Sequence, residues 1–341
     1  MRVGEVVFNT ALTGYQEIIS DPSYSNQLIT FTYPHIGNTG VNPDDYQSTK
    51  ISAAGVIIKS LSKYMSNWRA TISLHDFFLQ QKIVAIAGID TRGLTKLLRQ
   101  HGALRGCIMA GSVDADVALQ AARNFAGLNK QDLTGAVTTD KIYTINNAGL
   151  LHLVLIDFGV KSSILDSLVK LNCKITVVPA QTSSQAILDL KPDGIILSNG
   201  PGDPQACTAI IAQIKLLLNA KLPIFGICLG HQLLALALGA KTYKMPFGHH
   251  GANHPVQDVR SKQVLITSQN HGFAVSEASL GDIIEITHKS LFDNSLQGFK
   301  HVSLPFFGFQ GHPEAGPGPH DALNLFEEFI SVIRSQHAEK K

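Results

Sequence analysis

The chain has 341 residues, of which 44% are hydrophobic and 16% charged, with a formal net charge of +2. That length exceeds one ordinary hydrophobic core and suits two domains, and the balance is that of a folded chain rather than a disordered one. Near-neutral charge without a lysine- or arginine-rich stripe argues against a nucleic-acid partner, and no apolar run is long enough to span a bilayer. No signal peptide is read in "MRVGEVVFNT", so a cytoplasmic location is expected. Cys107, Cys173, Cys207 and Cys228 form no Cys-x-x-Cys pair, which speaks against a zinc site or a disulfide framework.

The first part, "GEVVFNTALTGYQEIISDPSYSNQLITFTYPHIGNTG", mixes short β-branched and aromatic runs with Gly, Pro, Asn and Asp punctuation, as a mostly β region would. Helices follow. Thr91 to Gln100 has Asp90 and Thr91 as candidate caps and Gly102 as a stop, and "DADVALQAARNFAG" is a second helical stretch. Trp68 and the aromatics around it read as core. The polar segment "TGAVTTDKIYTINNAG" lacks helical period and reads as a linker, dividing the chain into domains at 1–140 and 151–337 with a connection at 141–150.

From Leu151 the rhythm becomes strand, turn, helix: "LHLVLIDFG", "VKSSILDSLVKLN", "CKITVVPA", "SSQAILDLK", "DGIILSNG", "CTAIIAQIKLLLNA" and "LPIFGI". Such alternation implies parallel strands joined by right-handed helical crossovers, a doubly wound α/β sheet with its site beyond the carboxyl ends of the strands. Three loops after those strands stand out.

"SNGPGDP" is either a stiff turn capped by Asp203 or a place where Gly200 and Gly202 let main-chain N–H groups approach a ligand. No nucleotide-binding glycine loop occurs. "FGICLGHQLLALALGAK" sets Cys228 between glycines at a strand-to-helix turn, the form of a nucleophile elbow. A helix N-terminus favours thiolate, whereas an inert buried thiol is the ordinary alternative. In "FFGFQGHPE", His312 and Glu314 are chemically suited to act as base and orienting carboxylate for such a thiol, although an isolated His-x-Glu is usually a surface pair.

Together, "GICLGHQ", "SNGPGDP" and "GHPE" resemble a class I, triad-type glutamine amidotransferase domain. "GEVVFNTALTGYQEIISDPSYSNQLITFTYPHIGN", "AIAGIDTRGLTKLLRQHG" and "FGHHGANHPV" resemble the small-chain family of carbamoyl-phosphate synthase, so the resemblance covers essentially the whole chain. It implies a mixed, β-rich N-terminal domain followed by a doubly wound, mostly parallel-sheet amidotransferase domain. It implies Cys228 as nucleophile, His312 as base and Glu314 as its orienter, with main-chain N–H groups of Leu229 and the loop at Gly200 and Gly202 around the oxyanion. Ser23, Gln232, Asn270, Gly272 and Phe273 would position glutamine, putting the site at the domain interface. The ammonia would pass to a large synthetase chain, in a heterodimer or higher oligomer, and ATP and divalent metal would sit on that partner rather than here. The family's small chain carries residues before "GEVVFNT" that form an early strand, so here the first domain is expected to show unpaired backbone groups.

Other features read more plainly. His249, His250 and His254 in "FGHHGANHP" suggest a structural loop or partner-facing surface rather than a metal site, since no cysteine or carboxylate set accompanies them. His271 reads as a loop residue shaping the pocket, and His320 as lying near a helix start capped by Asp321. Rival readings are a subunit of another amidotransferase, a stand-alone cysteine amide hydrolase, and a regulatory or binding subunit without catalysis. The presence of all three triad residues argues against the last.

Overall fold

The computed structural model describes residues 1–339. In the N-terminal part, β1 (Arg2–Asn9), α1 (Tyr15–Ser20), β2 (Gln27–Phe31), β3 (His35–Ile36), β4 (Gly55–Ile57), β5 (Ser60–Leu61), α2 (Leu74–Gln80), β6 (Ala85–Ile86), α3 (Thr91–His101), β7 (Leu104–Ile108) and α4 (Ala115–Asn124) follow one another. Five strands form a sheet in the order β6-β4-β2-β1-β7, parallel except where β7 runs against β1. The α3 signals act as expected: the Asp90 carboxylate accepts the Gly93 N–H at 3.0 Å, and Gly102 ends the helix at φ 84°.

The second part comprises α5 (Thr134–Val137), β8 (Tyr143–Ile145), β9 (Leu151–Asp157), α6 (Ser162–Lys170), β10 (Cys173–Pro179), α7 (Ser184–Asp189), β11 (Gly194–Leu197), α8 (Thr208–Leu218), β12 (Ile224–Ile227) and α9 (Leu229–Ala237). It continues with β13 (Thr242–Asp258), β14 (Val264–Val275), β15 (Ile284–Ser290), β16 (Leu296–His301), β17 (Phe306–Phe309) and α10 (Asn324–Glu339). Its ten-stranded sheet has the order β14-β13-β15-β16-β17-β12-β11-β9-β10-β8. The five strands β10, β9, β11, β12 and β17 are parallel, and antiparallel strands flank them.

The parallel strands are apolar along their length because both faces are covered. Val154, Ile156, Ile195 and Leu197 point to one core, shared with Ile210, Ile214 and Leu217 of α8 and Leu233 and Leu234 of α9. Leu153, Leu155, Ile196, Phe225 and Ile227 point to the other, shared with α6 and α10. Period-two alternation thus feeds two hydrophobic layers from one strand.

Three expectations need correction. The segment expected as a linker contributes a helical turn, α5, and an edge strand, β8, whose residues 143–145 pair with Ile175, Thr176 and Val177 of β10. Backbone pairing with an otherwise open sheet edge outweighs its polar composition. Trp68 is 91% exposed rather than core. It lies in a turn organised by Asn67, whose side chain accepts the Arg69 N–H, and the aromatic core of this part is built from Phe31, Phe77 and Phe78 without it. Asp321 does not cap α10, which begins at Asn324; its carboxylate accepts the Ile266 N–H at 2.9 Å.

Phe225 is fully buried at the centre of one layer, stacked on Phe307 at 4.5 Å between ring centroids and meeting Phe326 and Phe329 of α10. Phe225→Ala is expected to lower unfolding free energy by about 3–5 kcal/mol in urea denaturation; a loss below about 1 kcal/mol would show that this layer collapses freely.

Candidate active site

Parallel β12 and β17 are neighbours in register, Ile227 beside Phe309, so the residues just beyond their carboxyl ends emerge side by side. Cys228 follows β12, and its N–H donates to the Phe309 carbonyl at 3.0 Å. It has φ 53° and ψ −106°, a conformation rare for a residue with a side chain. Two glycines make that turn possible. A Cβ on Gly226 would come 2.6 Å from the Gly230 carbonyl, and one on Gly230 2.1 Å from the Leu197 carbonyl. The helix α9 therefore starts hard against the sheet, with Leu229 as its first residue and no intrahelical acceptor for that N–H.

His312 follows β17, and its N–H donates to the Ser268 carbonyl of β14. Its Nδ1 lies 2.7 Å from Glu314 Oε1, and Nε2 has no hydrogen-bond partner. The same Glu314 oxygen is 2.9 Å from Lys161 Nζ, which also donates to the Ala315 carbonyl. All three side chains are almost wholly buried. Burial opposes charge on His312, but the Glu314 carboxylate and the neighbouring Cys228 outweigh it and push His312 up to about 10. Burial likewise opposes charge on Glu314, and Lys161 and His312 outweigh it, holding the carboxyl down to about 2. Lys161 is not among the residues expected from the sequence, although it stands in "DFGVKSS" just beyond β9, at the same sheet edge as the other loops.

One cavity is lined by Ser23, Gly200, Gly202, Cys228, Gln232, Asn270, Gly272 and Phe273, together with Lys244, His250 and His271. Leu229 is buried behind it and is not on its wall. Ser23 comes from the N-terminal part, where its Oγ accepts from Asn199 Nδ2 at 2.9 Å. Asn270 carries a second bridge, donating to Asp21 Oδ2 at 2.9 Å while its Oδ1 meets His250 Nδ1 at 2.8 Å. Asp21 is thus a buried carboxylate beside the wall that was not expected from the sequence; its neighbourhood to Ser23 in "DPSYS" is the available signal. Cys228 Sγ lies 3.5 Å from the Asn270 carbonyl.

The remaining histidines fall differently from expectation. His249, His250 and His254 lie in β13 and His271 in β14, all buried, not on a loop or surface. The His249 ring lies 5.0 Å from those of His254 and His271, while the His250 ring packs on Tyr24 at 6.0 Å. His249 is also paired with Asp293 at 2.9 Å. Burial pushes His250 down to about 4 and His254 to about 3. Among the described residues no three His, Cys, Asp or Glu side chains group as a metal site. His231, one turn beyond Cys228, packs on the Phe299 ring, and burial pushes it down to about 3. Among the described residues His271 shares with His312 a bonded Nδ1 and an unpartnered Nε2, but it is His312 whose ring is influenced by Cys228.

The pair His312–Glu314 has a pH signature. Because His312 is raised above 6.5, its contribution to stability is complete below about pH 6.5 and lost as pH rises toward 10. Because Glu314 is lowered from 4.5, its contribution is complete above about pH 4.5 and lost toward pH 2. The difference in urea midpoint between wild type and Glu314→Gln should be widest between pH 4.5 and 6.5. A difference that does not vary with pH would contradict the coupling.

Comparison with known proteins bears on both halves. Residues 1–108 match the family model "Carbamoyl-phosphate synthase small chain, CPSase domain", and residues 154–332 match "Glutamine amidotransferase class-I". The chain is 53% identical to the carbamoyl phosphate synthase small chain of Thioalkalivibrio sulfidiphilus over 99% of this chain and 93% of that one. It is 54% identical to the protein of the same name from Vibrio cholerae, over 99% and 94%. A solved structure of a candidate GMP synthase component from Thermoplasma acidophilum is similar in fold, with a TM-score of 0.50 and 24% identity. That likeness covers 56% of this chain and 98% of that one. Among the described residues no helix is long and apolar enough to cross a membrane.

Proposed function

The chain belongs to the family of carbamoyl-phosphate synthase small chains, the glutamine-hydrolysing subunit of that synthase, and we propose that Cys228, His312 and Glu314 are its catalytic triad. The observation that carries the assignment is the state of His312: Nδ1 bonded to Glu314, Nε2 without a partner, and Cys228 close enough to shift it.

In this reading glutamine enters the cavity lined by Ser23, Gln232, Asn270, Gly272 and Phe273 with its side-chain amide at Cys228. The thiolate Sγ attacks the amide carbon while His312 holds the proton on Nε2. Negative charge develops on the amide oxygen and is met by main-chain N–H groups of Leu229 and of the loop at Gly200 and Gly202. His312 then protonates the leaving nitrogen, ammonia departs, and a glutamyl thioester remains on Cys228. Water, deprotonated by His312, attacks the thioester carbon and expels Sγ, which releases glutamate and restores the thiolate beside protonated His312. Glu314 keeps Nδ1 protonated and so fixes the tautomer that can do both transfers. Lys161 keeps Glu314 ionised.

Ammonia released into solvent would be wasted, so it is delivered to a large synthetase chain that holds ATP and divalent metal and makes carbamoyl phosphate from bicarbonate. The product would serve pyrimidine and arginine synthesis in the cytoplasm. Heterodimer formation, or a higher oligomer built from it, follows from that division of labour.

Cys228→Ser in the complex is expected to lower glutamine-dependent carbamoyl phosphate synthesis by at least about 10³-fold and to leave synthesis from added ammonium chloride nearly unchanged. Equal loss with both nitrogen sources would refute the division of labour. Full retention with glutamine would refute the nucleophile.

A further inference from the structure

Resting on the reading that glutamine occupies the cavity at Cys228, we infer that Lys244 is a specificity-determining residue that receives the α-carboxylate of the free amino acid. Free glutamine carries a carboxylate that a glutaminyl residue within a protein lacks, and moving that charge from water into a walled cavity is costly unless a cation or several donors meet it. Among the described residues lining this cavity, Lys244 is the one lysine or arginine. The two histidines on the wall do not substitute for it. Burial is the main cause lowering both His250 and His271, and each is neutral near pH 7.

Geometry holds the ammonium in place. Lys244 lies on β13, its Nζ donates to Glu5 Oε1 of β1 at 2.6 Å, and it sits 4.8 Å from the centroid of the Phe273 ring. Those two contacts restrain the four-carbon stem that otherwise makes lysine mobile. An ammonium has three donors, and Glu5 is the one hydrogen-bond acceptor it has among the described residues. Two N–H groups therefore remain for a ligand. Gly272 lies beside the ammonium on the same wall, where a Cβ would come to 3.4 Å from Lys244 Nζ, an ordinary van der Waals contact. Glu5 is more deeply buried than Lys244, with side-chain exposures of 9% and 24%, so the carboxylate is the inner member of the pair.

The rival role for Lys244 is a latch between β1 and β13 with no substrate contact. The two roles separate on a substrate that keeps the amide and drops the carboxylate. Hydrolysis of L-glutamine and of 4-aminobutanamide would be followed by ammonia release from the full chain with its large-chain partner, for wild type, Lys244→Met and Lys244→Arg. Lys244→Met should lower kcat/KM for L-glutamine about 10- to 100-fold, the worth of one charge-assisted hydrogen bond, chiefly through KM. For 4-aminobutanamide it should change kcat/KM by less than about twofold, which also shows that the variant is folded with a working triad. Lys244→Arg should recover part of the loss. An equal fall on both amides would overturn the assignment and leave Lys244 as a latch. Absence of glutamine hydrolysis in wild type would instead remove the glutamine reading, and this assignment with it.

Discussion

Three ionisable side chains, Lys161, Glu314 and His312, are buried together in contact, and the arrangement of the C-terminal half follows from the need to keep them paired. Removing charges from water costs several kcal/mol per ion, and losing one partner would strand the others. The three come from two loops, after β9 and after β17, so the strands that carry those loops must hold register to within a fraction of an ångström. A close-packed double-layer core supplies that rigidity, with Phe225 and Phe307 stacked between the sheet and α10. Packing deep in the sheet and protonation at its edge are thus one problem.

Cys228 adds a second constraint of a different kind. Its backbone sits at a positive φ that costs of order 1–3 kcal/mol for a residue with a side chain. The cost is offset by the hydrogen bond from its N–H to Phe309 and by the start of α9 immediately after it. Gly226 and Gly230 are needed because the turn brings main chain onto main chain, where any Cβ would collide with a carbonyl. The same turn leaves the first N–H of α9, that of Leu229, without an intrahelical acceptor one residue after the thiol. A strained turn and an available donor are two faces of one geometry.

Much of this was legible in the chain and some was not, for physical reasons. Parallel strands buried on both faces read as apolar runs, so β9 to β12 and the loops after them could be found, and with them Cys228, Gly200 and Gly202. His312 and Glu314 were legible as a chemical pair, but only the register of β17 beside β12 brings the loop that carries them next to Cys228. The β13–β14 hairpin was not legible. "FGHHGANHP" is rich in polar residues and glycine, which signals a loop, yet its imidazoles are buried, with His249 tilted against His254 and edge-on to His271 across the hairpin. Long-range contacts override composition there. Lys161 was hidden for the opposite reason: a lysine after a strand is ordinarily solvated, and only the three-dimensional convergence of loops buries it.

The domain boundary is where the N-terminal part matters for chemistry. Asp21 accepts from Asn270, Ser23 accepts from Asn199, and Lys244 donates to Glu5. Each bond joins a side chain of the first part to the second part at or beside the cavity. Buried polar groups tolerate little misalignment, because a donor left without an acceptor costs more than the bond itself contributes. A small rotation of one part against the other would break several of these bonds together, and the walls of the cavity would come apart with them. The N-terminal part therefore bears on the cavity through direct bonds to its walls, and any partner that shifts it relative to the C-terminal sheet acts on the residues around Cys228 without touching them.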